Sequence, residues 1–363
     1  MKVDAYIAGG GPAGATAALL LARAGHSVVV LERTRFPRRK VCGEFIAASG
    51  IEFLRGLGLG PELEAGAGPE VRTIALWARD RAFEARMPAW HAAAPWPRAL
   101  VRETLDTVLL DRARRHGAQV IQHPDPAIEA RVRIDARGSW HKGPGASDLL
   151  GFKAHFRGAE LPPDTIVLIP FSGGYAGLVE SGAGRVTLAC CVRRSSLEAL
   201  RSRGTPVGES LLAHLLERSD AFAHAFRGAT REGTWLGAGP LRPGARSLYR
   251  DGVFAIGNAA GEAHPIVGEG IAMAMRSAAL LCGPLSAALK STYSPRAVAR
   301  AYTLAWWRTF GFRLHASLLF GQLAMRPAIP EAFLRGAPGL LTAAAALSGK
   351  ASNLLASARR GIG

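Results

Sequence analysis

The chain has 363 residues, with 45 Lys and Arg against 28 Asp and Glu, a net charge of +17 and a mean hydropathy of +0.12. That length allows about three-quarters of the unfolded surface to be buried and suggests two domains, while the four cysteines (Cys42, Cys190, Cys191, Cys282) lack metal-ligand spacing, so no metal site is expected and a reduced, cytoplasmic protein is. No run of about eighteen apolar residues would span a membrane, the first apolar run begins too early for a signal peptide, and no nucleic-acid-binding module stands behind the basic charge.

Residues 3–8 form a short apolar run that leads into Gly9-Gly10-Gly11-Pro12-Ala13-Gly14. A helical stretch through Leu19, Leu20 and Leu21 follows, then a second apolar run over 27–31 that ends at Glu32. Strand, glycine turn, helix, strand and acid are the parts of a dinucleotide-binding unit. Gly9 permits the tight turn, Gly11 lets backbone amides approach a pyrophosphate, and Gly14 lets the helix pack on the strand. Pro12 and Ala13 open the helix, and its free N–H groups favour an anion there. Glu32 is placed to bond the hydroxyls of an adenosine ribose.

A basic segment comes next, from Arg33 through Arg35-Phe36-Pro37-Arg38-Arg39-Lys40-Val41-Cys42-Gly43-Glu44. Strands are predicted over 72–77 and 82–87, then an aromatic, proline-rich loop over 89–98 with Trp90, His91 and Trp96. Arg102 precedes a helix over 103–116, and strands at 118–122 and 127–134 follow with only a short turn between them. From Gly151 the pattern alternates with period two, as in half-buried antiparallel strands. These strands are 152–157, 165–170, 175–181, 185–193 and 234–238, interrupted by helices over 195–203 and 207–225. Residues 251–261 read as a turn, a buried strand and a small-residue elbow, Gly257-Asn258-Ala259-Ala260-Gly261. His264, Pro265, Gly268, Glu269 and Gly270 then lead into a helix from Ile271 to 289. Helices from 295 onward finish the chain, with breaks at 327–330 and 338–339.

The elbow and its sequel resemble the G-D-A-A-G…P…G-x-G-I segment of the glutathione-reductase-type FAD fold of aromatic hydroxylases, geranylgeranyl reductases and flavin halogenases. Residues 35–44 resemble the R-x-F-P-R-x-K-x-C-G segment of the last two groups, and Val101-Arg102-Glu103-Thr104-Leu105-Asp106 resembles the family helix that points an arginine at the cofactor. The resemblance implies an α/β fold with a Rossmann-like FAD-binding lobe (1–70, 99–150 and 239–290), interleaved with an antiparallel-sheet substrate lobe (71–98 and 151–238). A basic amphipathic helical region (291–363) completes it. It also implies that Arg33 and Arg39 neighbour the phosphates, with Arg102 aimed at the cofactor, and that Cys42 and Gly43 pack beside the isoalloxazine. Gly257 and Asn258 would meet the ribityl chain, where the family has an acid in place of Asn258. Pro265, Gly268 and Gly270 would lie along the ring, and the helix from Ile271 would aim its N-terminus at the ring edge where negative charge collects on reduction.

Only one complete nucleotide fingerprint is present, so NAD(P)H is expected as a transient reductant, or a partner supplies the electrons. Halogenases of the tryptophan type carry W-x-W-x-I-P and geranylgeranyl reductases G-G-Y-x-W-x-[FI]-P. Here the matching segment is Gly173-Gly174-Tyr175-Ala176-Gly177-Leu178-Val179-Glu180, which keeps the tyrosine and loses both bulky markers. The expected activity is therefore hydroxylation of a lipophilic aromatic, polyketide or quinone-like substrate through a flavin C4a-hydroperoxide. Reduction of lipid double bonds is the alternative; halogenation, or maturation of a partner protein, stands further off. His264, Tyr175 and Glu44 are the candidate catalytic groups. His155, alternating with Phe152 and Phe156, reads as structural, and Cys42 as a packing thiol.

Residues 290–363 hold ten Lys or Arg against one acid, Glu331, between apolar residues that include Trp306, Trp307, Phe310 and Phe312. Basic amphipathic helices with tryptophans suit an anionic membrane surface. A helical cap over the substrate lobe, its arginines solvated, accounts for the same pattern.

Overall fold

The computed structural model describes residues 1–89, 93–139, 147–201 and 204–325. Trp90, His91 and the expected helix breaks at 327–330 and 338–339 lie outside the described residues.

Strand β1 (Lys2–Ala8), helix α1 (Pro12–Arg23) and strand β2 (Val28–Leu31) form the opening unit. The short strand β3 (Phe45–Ile46) precedes helices α2 (Ala48–Gly56) and α3 (Gly60–Gly66) and the hairpin of β4 (Thr73–Ala78) and β5 (Arg81–Arg86). β6 (Arg98–Ala99), α4 (Arg102–Arg115), β7 (Gln119–Ile121) and β8 (Glu129–Asp135) follow. Then come β9 (Leu149–Arg157), β10 (Thr165–Phe171), β11 (Gly174–Glu180) and β12 (Arg185–Arg193). Helices α5 (Arg194–Leu200), α6 (Val207–Arg218) and α7 (Asp220–Ala225) lead to the long strand β13 (Thr230–Leu241). Short strands β14 (Gly244–Ala245), β15 (Tyr249–Arg250), β16 (Val253–Ala255) and β17 (Gly261–Glu262) precede α8 (Gly270–Lys290) and α9 (Pro295–Ala324).

Two sheets organise these elements. The first has the order β15-β16-β8-β1-β2-β7, parallel except for the edge strand β15. A parallel sheet needs helices over it, and its strands read as apolar runs for that reason. Ala5, Ile7, Val28 and Val30 are packed with Leu19 and Leu21 of α1 and Leu105 and Leu109 of α4 in one large core. α8 is long and apolar enough to cross a membrane by composition, but Met275, Ala278, Leu281 and Leu285 are fully buried in that same core. It is the central helix of the first lobe.

The second sheet has the order β13-β9-β12-β11-β10-β4-β5, antiparallel except where β10 runs beside β4. Its side chains divide by period two. One face, with Phe156, Val167, Ile169 and Leu188, packs against Leu197, Leu211, Leu215 and Phe222 of α5–α7. The other face carries Ile74, Ile166 and Val179 against Phe45 and Ala272, and Tyr175 and Cys191 against Leu149 and Met325. Adjacent Cys190 and Cys191 thus lie in clusters on opposite faces, and burial pushes each thiol up to about 12.

Two elements differ from the sequence expectation. The helix over 207–225 is two helices, because Ser219 adopts extended backbone (φ −148°) and its hydroxyl caps Phe222 N. Strand 234–238 is the middle of β13, which runs from 230 to 241 with register shifts at Glu232/Leu236 and Ala238/Leu241. Its mostly exposed residues carry no apolar alternation at the ends, so periodicity finds only the centre.

Candidate cofactor and substrate site

The turn after β1 is built from three glycines with different surroundings. Gly9 has φ +106°, and a Cβ there would lie 2.5 Å from the Ala136 carbonyl oxygen. At Gly14 a Cβ would lie 1.8 Å from the Gly9 carbonyl oxygen. At Gly11 it would meet only the tips of two side chains, Arg38 Nη2 at 3.6 Å and Arg102 Nη2 at 3.8 Å. The N-terminus of α1, opened by Pro12 and Ala13, therefore shares its approach with two guanidinium groups. Backbone N–H groups, a helix dipole and two arginines make a site for a diphosphate.

Buried carboxylates hold those arginines in place. Arg102 Nε and Nη2 each donate to an Asp106 oxygen at 2.7 Å, and Asp106 is fully buried. Burial works against the Arg102 charge, but Asp106 outweighs it and the guanidinium pKa is raised. Arg38 donates to Glu32 Oε1 at 2.9 Å and lies 3.6 Å from Asp106. Glu32 also accepts from Gly10 N and Thr34 N, both at 2.9 Å, which fixes the acid at the end of β2 beside the turn.

The expectation for Arg33 and Arg39 needs correcting here. Arg33 is exposed, and Arg39 turns to Glu103 at 3.7 Å and to the Thr234 carbonyl at 3.0 Å. Arg38 is the arginine that lies against the glycine turn instead, over the Phe36 ring (4.7 Å to the centroid) and drawn in by Glu32 and Asp106. Neighbouring arginines in an irregular segment have no periodicity to tell them apart, so only their carboxylate partners decide which one turns inward.

The elbow before α8 meets the same turn from the other side. Gly257 has φ +61°, its N–H donates to Ser277 Oγ at 2.7 Å, and a Cβ there would lie 2.8 Å from Ala13 Cβ. Asn258 Nδ2 donates to Ser139 Oγ at 3.2 Å, and Ser139 in turn donates to Glu262 at 2.8 Å. Gly268 (φ +65°) lies against Phe45, and Ile271 is buried at the start of α8. Pro265 is exposed. A Cβ at Gly43 would touch only Ala189 Cβ at 4.0 Å, and one at Gly270 would touch nothing. Bare backbone at Gly43 and Gly270, with partly exposed Cys42 beside the first, leaves room for a flat ring. The donors and cradles present fit FAD.

Residues 2–130 match the FAD binding domain family. That stretch is similar to the FAD-binding domain of FAD-dependent oxidoreductases. Among curated proteins the chain is 25% identical to digeranylgeranylglycerophospholipid reductase 2 of Methanopyrus kandleri, over 89% of this chain and 88% of that one. Among solved structures it is similar to the flavin-dependent brominase Bmp2, with a TM-score of 0.76 and 19% identity, covering 96% of this chain and 94% of that one. It is also similar to pqsL, a probable FAD-dependent monooxygenase from Pseudomonas aeruginosa, with a TM-score of 0.74 and 19% identity, covering 93% and 100%.

The three candidate catalytic groups lie in two places. Glu44 (φ +61°) is fully buried and is the hub of a polar network. Its carboxylate accepts from Lys153 Nζ, from Thr187 Oγ1 at 2.6 Å and from Arg102 N at 2.8 Å, and it pairs with His155 Nε2 at 2.8 Å. Burial opposes the charge, but His155 and Lys153 outweigh it and hold the carboxyl down at about 2. A carboxylate so engaged on both oxygens is a poor base. It reads as an anchor tying the Cys42-Gly43 segment to β9, β12 and the start of α4. Lys153, fully buried, went unnoticed in the sequence because a lysine in an alternating strand reads as its solvent face.

His264 and Tyr175 form the second place, with ring centroids 6.2 Å apart. His264 is buried, its backbone N–H donates to Ser317 Oγ of α9 at 3.1 Å, and its Nδ1 accepts from Ile266 N at 3.4 Å. Burial and the Arg193 charge lower its pKa to about 4, so the ring is neutral near pH 7. An accepting Nδ1 puts the proton on Nε2, and Nε2 has no partner among the described residues. The Tyr175 hydroxyl, held neutral by burial, lies beside the Cys191 thiol.

Proposed function

We propose that this chain is an NAD(P)H-dependent monooxygenase that hydroxylates a lipophilic aromatic or quinone-like substrate. The observation that carries this reading is the buried His264 Nε2, which has no partner among the described residues, with the Tyr175 ring centroid 6.2 Å from that of His264. A buried donor left unpaired costs about 1–3 kcal/mol, which a ligand oxygen within reach of Nε2 would recover. A phenol or quinone carries that oxygen; an isoprenoid double bond does not.

When bound, FAD supplies hydride acceptance and the activation of O2. The chain would hold it through the N-terminus of α1, Arg38 and Arg102 at the phosphates, Glu32 at the ribose and Asn258 at the ribityl chain. Cys42, Gly43, Pro265, Gly268 and Gly270 would border the ring. Neutral His264 donates from Nε2 to the substrate oxygen and orients the carbon to be oxidised, and Tyr175 donates to the same oxygen or to its neighbour. Gly177 in β11, where a Cβ would meet nothing closer than 3.7 Å, leaves room for a ring or alkyl chain. The balance is NAD(P)H, a proton, O2 and substrate in, and NAD(P)⁺, water and hydroxylated product out.

A second reading, reduction of isoprenoid double bonds, is favoured by the lipid reductase relative that matches along nearly the whole chain. Heavy-isotope O2 separates the two. With an alkylphenol or alkylquinol, NAD(P)H oxidation should accelerate and the label should enter the product. His264→Ala and Tyr175→Phe should each raise KM about tenfold, the scale of one buried hydrogen bond. Product that forms without oxygen and with loss of a carbon–carbon double bond makes the second reading correct. A halogenated product overturns both.

A further inference from the structure

Six large hydrophobic side chains are exposed among the described residues, and four of them, Leu304, Trp307, Phe312 and Leu319, belong to α9. Phe312 is 73% exposed and Leu319 60%. Their successive spacings of three, five and seven keep them within about 140° of one side of the helix, over about 22 Å at 1.5 Å per residue. The opposite side is core: Tyr302 and Trp306 are fully buried, with Phe310 and Leu314 close behind. α9 contains four arginines and no acidic residue. Arg300 and Arg308 are exposed among the apolar four. A solvent-facing helix normally mixes both signs of charge, whereas this one combines bulky apolar groups with cations alone.

We infer that this outer face of α9 docks on an anionic lipid surface. Leu304, Trp307, Phe312 and Leu319 enter the headgroup–acyl boundary, and Arg300 and Arg308 pair with lipid phosphates. Charge complementarity selects this occupant, since a chain of net charge +17 repels a second copy of itself and an all-cationic apolar face fits an anionic bilayer. The inner face of α9 touches His264, through the Ser317 hydroxyl and through Gly321, whose Cβ would lie 2.4 Å from the His264 ring. A docked α9 therefore holds the His264 region about one helix diameter from the lipid. The docking does not rest on the hydroxylation reading, and its test uses no turnover.

The test is sedimentation of the full-length protein with phosphatidylcholine vesicles made with and without phosphatidylglycerol, at low and raised salt. Wild type should pellet with the anionic vesicles at low salt, and less so as salt rises. Phe312→Asp/Leu319→Asp should bind about tenfold more weakly with an unchanged melting temperature, since both side chains already lie in water. Leu216→Asp, at an exposed leucine on α6, should bind like wild type. Wild type that ignores anionic vesicles, or a double variant that binds undiminished, overturns the inference. A wild-type dimer that the double variant converts to monomer, without vesicle binding, makes the face a self-association surface and also overturns it.

Discussion

At Gly14 a methyl group would sit 1.8 Å from the Gly9 carbonyl oxygen, and at Gly9 one would sit 2.5 Å from that of Ala136. Both glycines are required by the packing of turn, helix and sheet. At Gly11 the backbone is ordinary (φ −72°) and the space is bounded only by arginine tips. Gly11→Val should therefore fold with a near-native melting temperature and lose FAD, because the branched side chain fills the approach to the helix N-terminus. Absorbance of the purified variant near the flavin bands checks this; a folded Gly11→Val protein with a full complement of FAD would refute the phosphate-turn assignment. Gly14→Val, by contrast, should yield little folded protein.

At the scale of elements, α9 shows how one helix serves two environments. Trp306 and Trp307 are adjacent, yet the first is fully buried and the second is 42% exposed. Trp306 packs in the main core beside Phe310 and over Gly261, where a Cβ would lie 2.8 Å from its ring. Of the two tryptophans in the basic tail, Trp306 is thus a core residue and only Trp307 is exposed. Trp306→Ala should cost about 3–5 kcal/mol, as large-to-small core substitutions do. Trp307→Ala should stay within about 0.5 kcal/mol, as surface substitutions do. Urea unfolding of the two variants measures both; equal destabilisation would contradict the seating of α9.

At the scale of the whole molecule, two buried groups link folding to acid. His264 has its pKa lowered from 6.5 to about 4, so below pH 6.5 the unfolded chain takes up this proton more readily than the folded one. Stability from this group falls as pH drops from about 6.5 to about 4. Glu44 is depressed from 4.5 to about 2, and its contribution, present above pH 4.5, is lost as pH falls toward 2. Unfolding free energy should therefore decline across the first window and again across the second. His264→Leu should flatten the decline between pH 6.5 and 4 relative to wild type; parallel curves for the two proteins would show that His264 is not buried in neutral form.

The sequence by itself determined the elements that repeat a local physical rule. The turn at Gly9–Gly14 with its flanking strands, the small-residue elbow at Gly257, the alternating strands after Gly151 and the helix after Gly270 are all written in steric need and hydrophobic period. What only the tertiary structure decided depends on partners distant in the chain. Arg38 rather than Arg39 faces the phosphate turn because Glu32 and Asp106 converge on it. Glu44 is an anchor because Lys153, His155 and Thr187 arrive from β9 and β12. His264 and Tyr175, eighty-nine positions apart, become neighbours only when β11 and the turn before α8 meet beneath α9. Local pattern specifies which element forms; the charge and donors that meet across elements specify which side chain is left free to act.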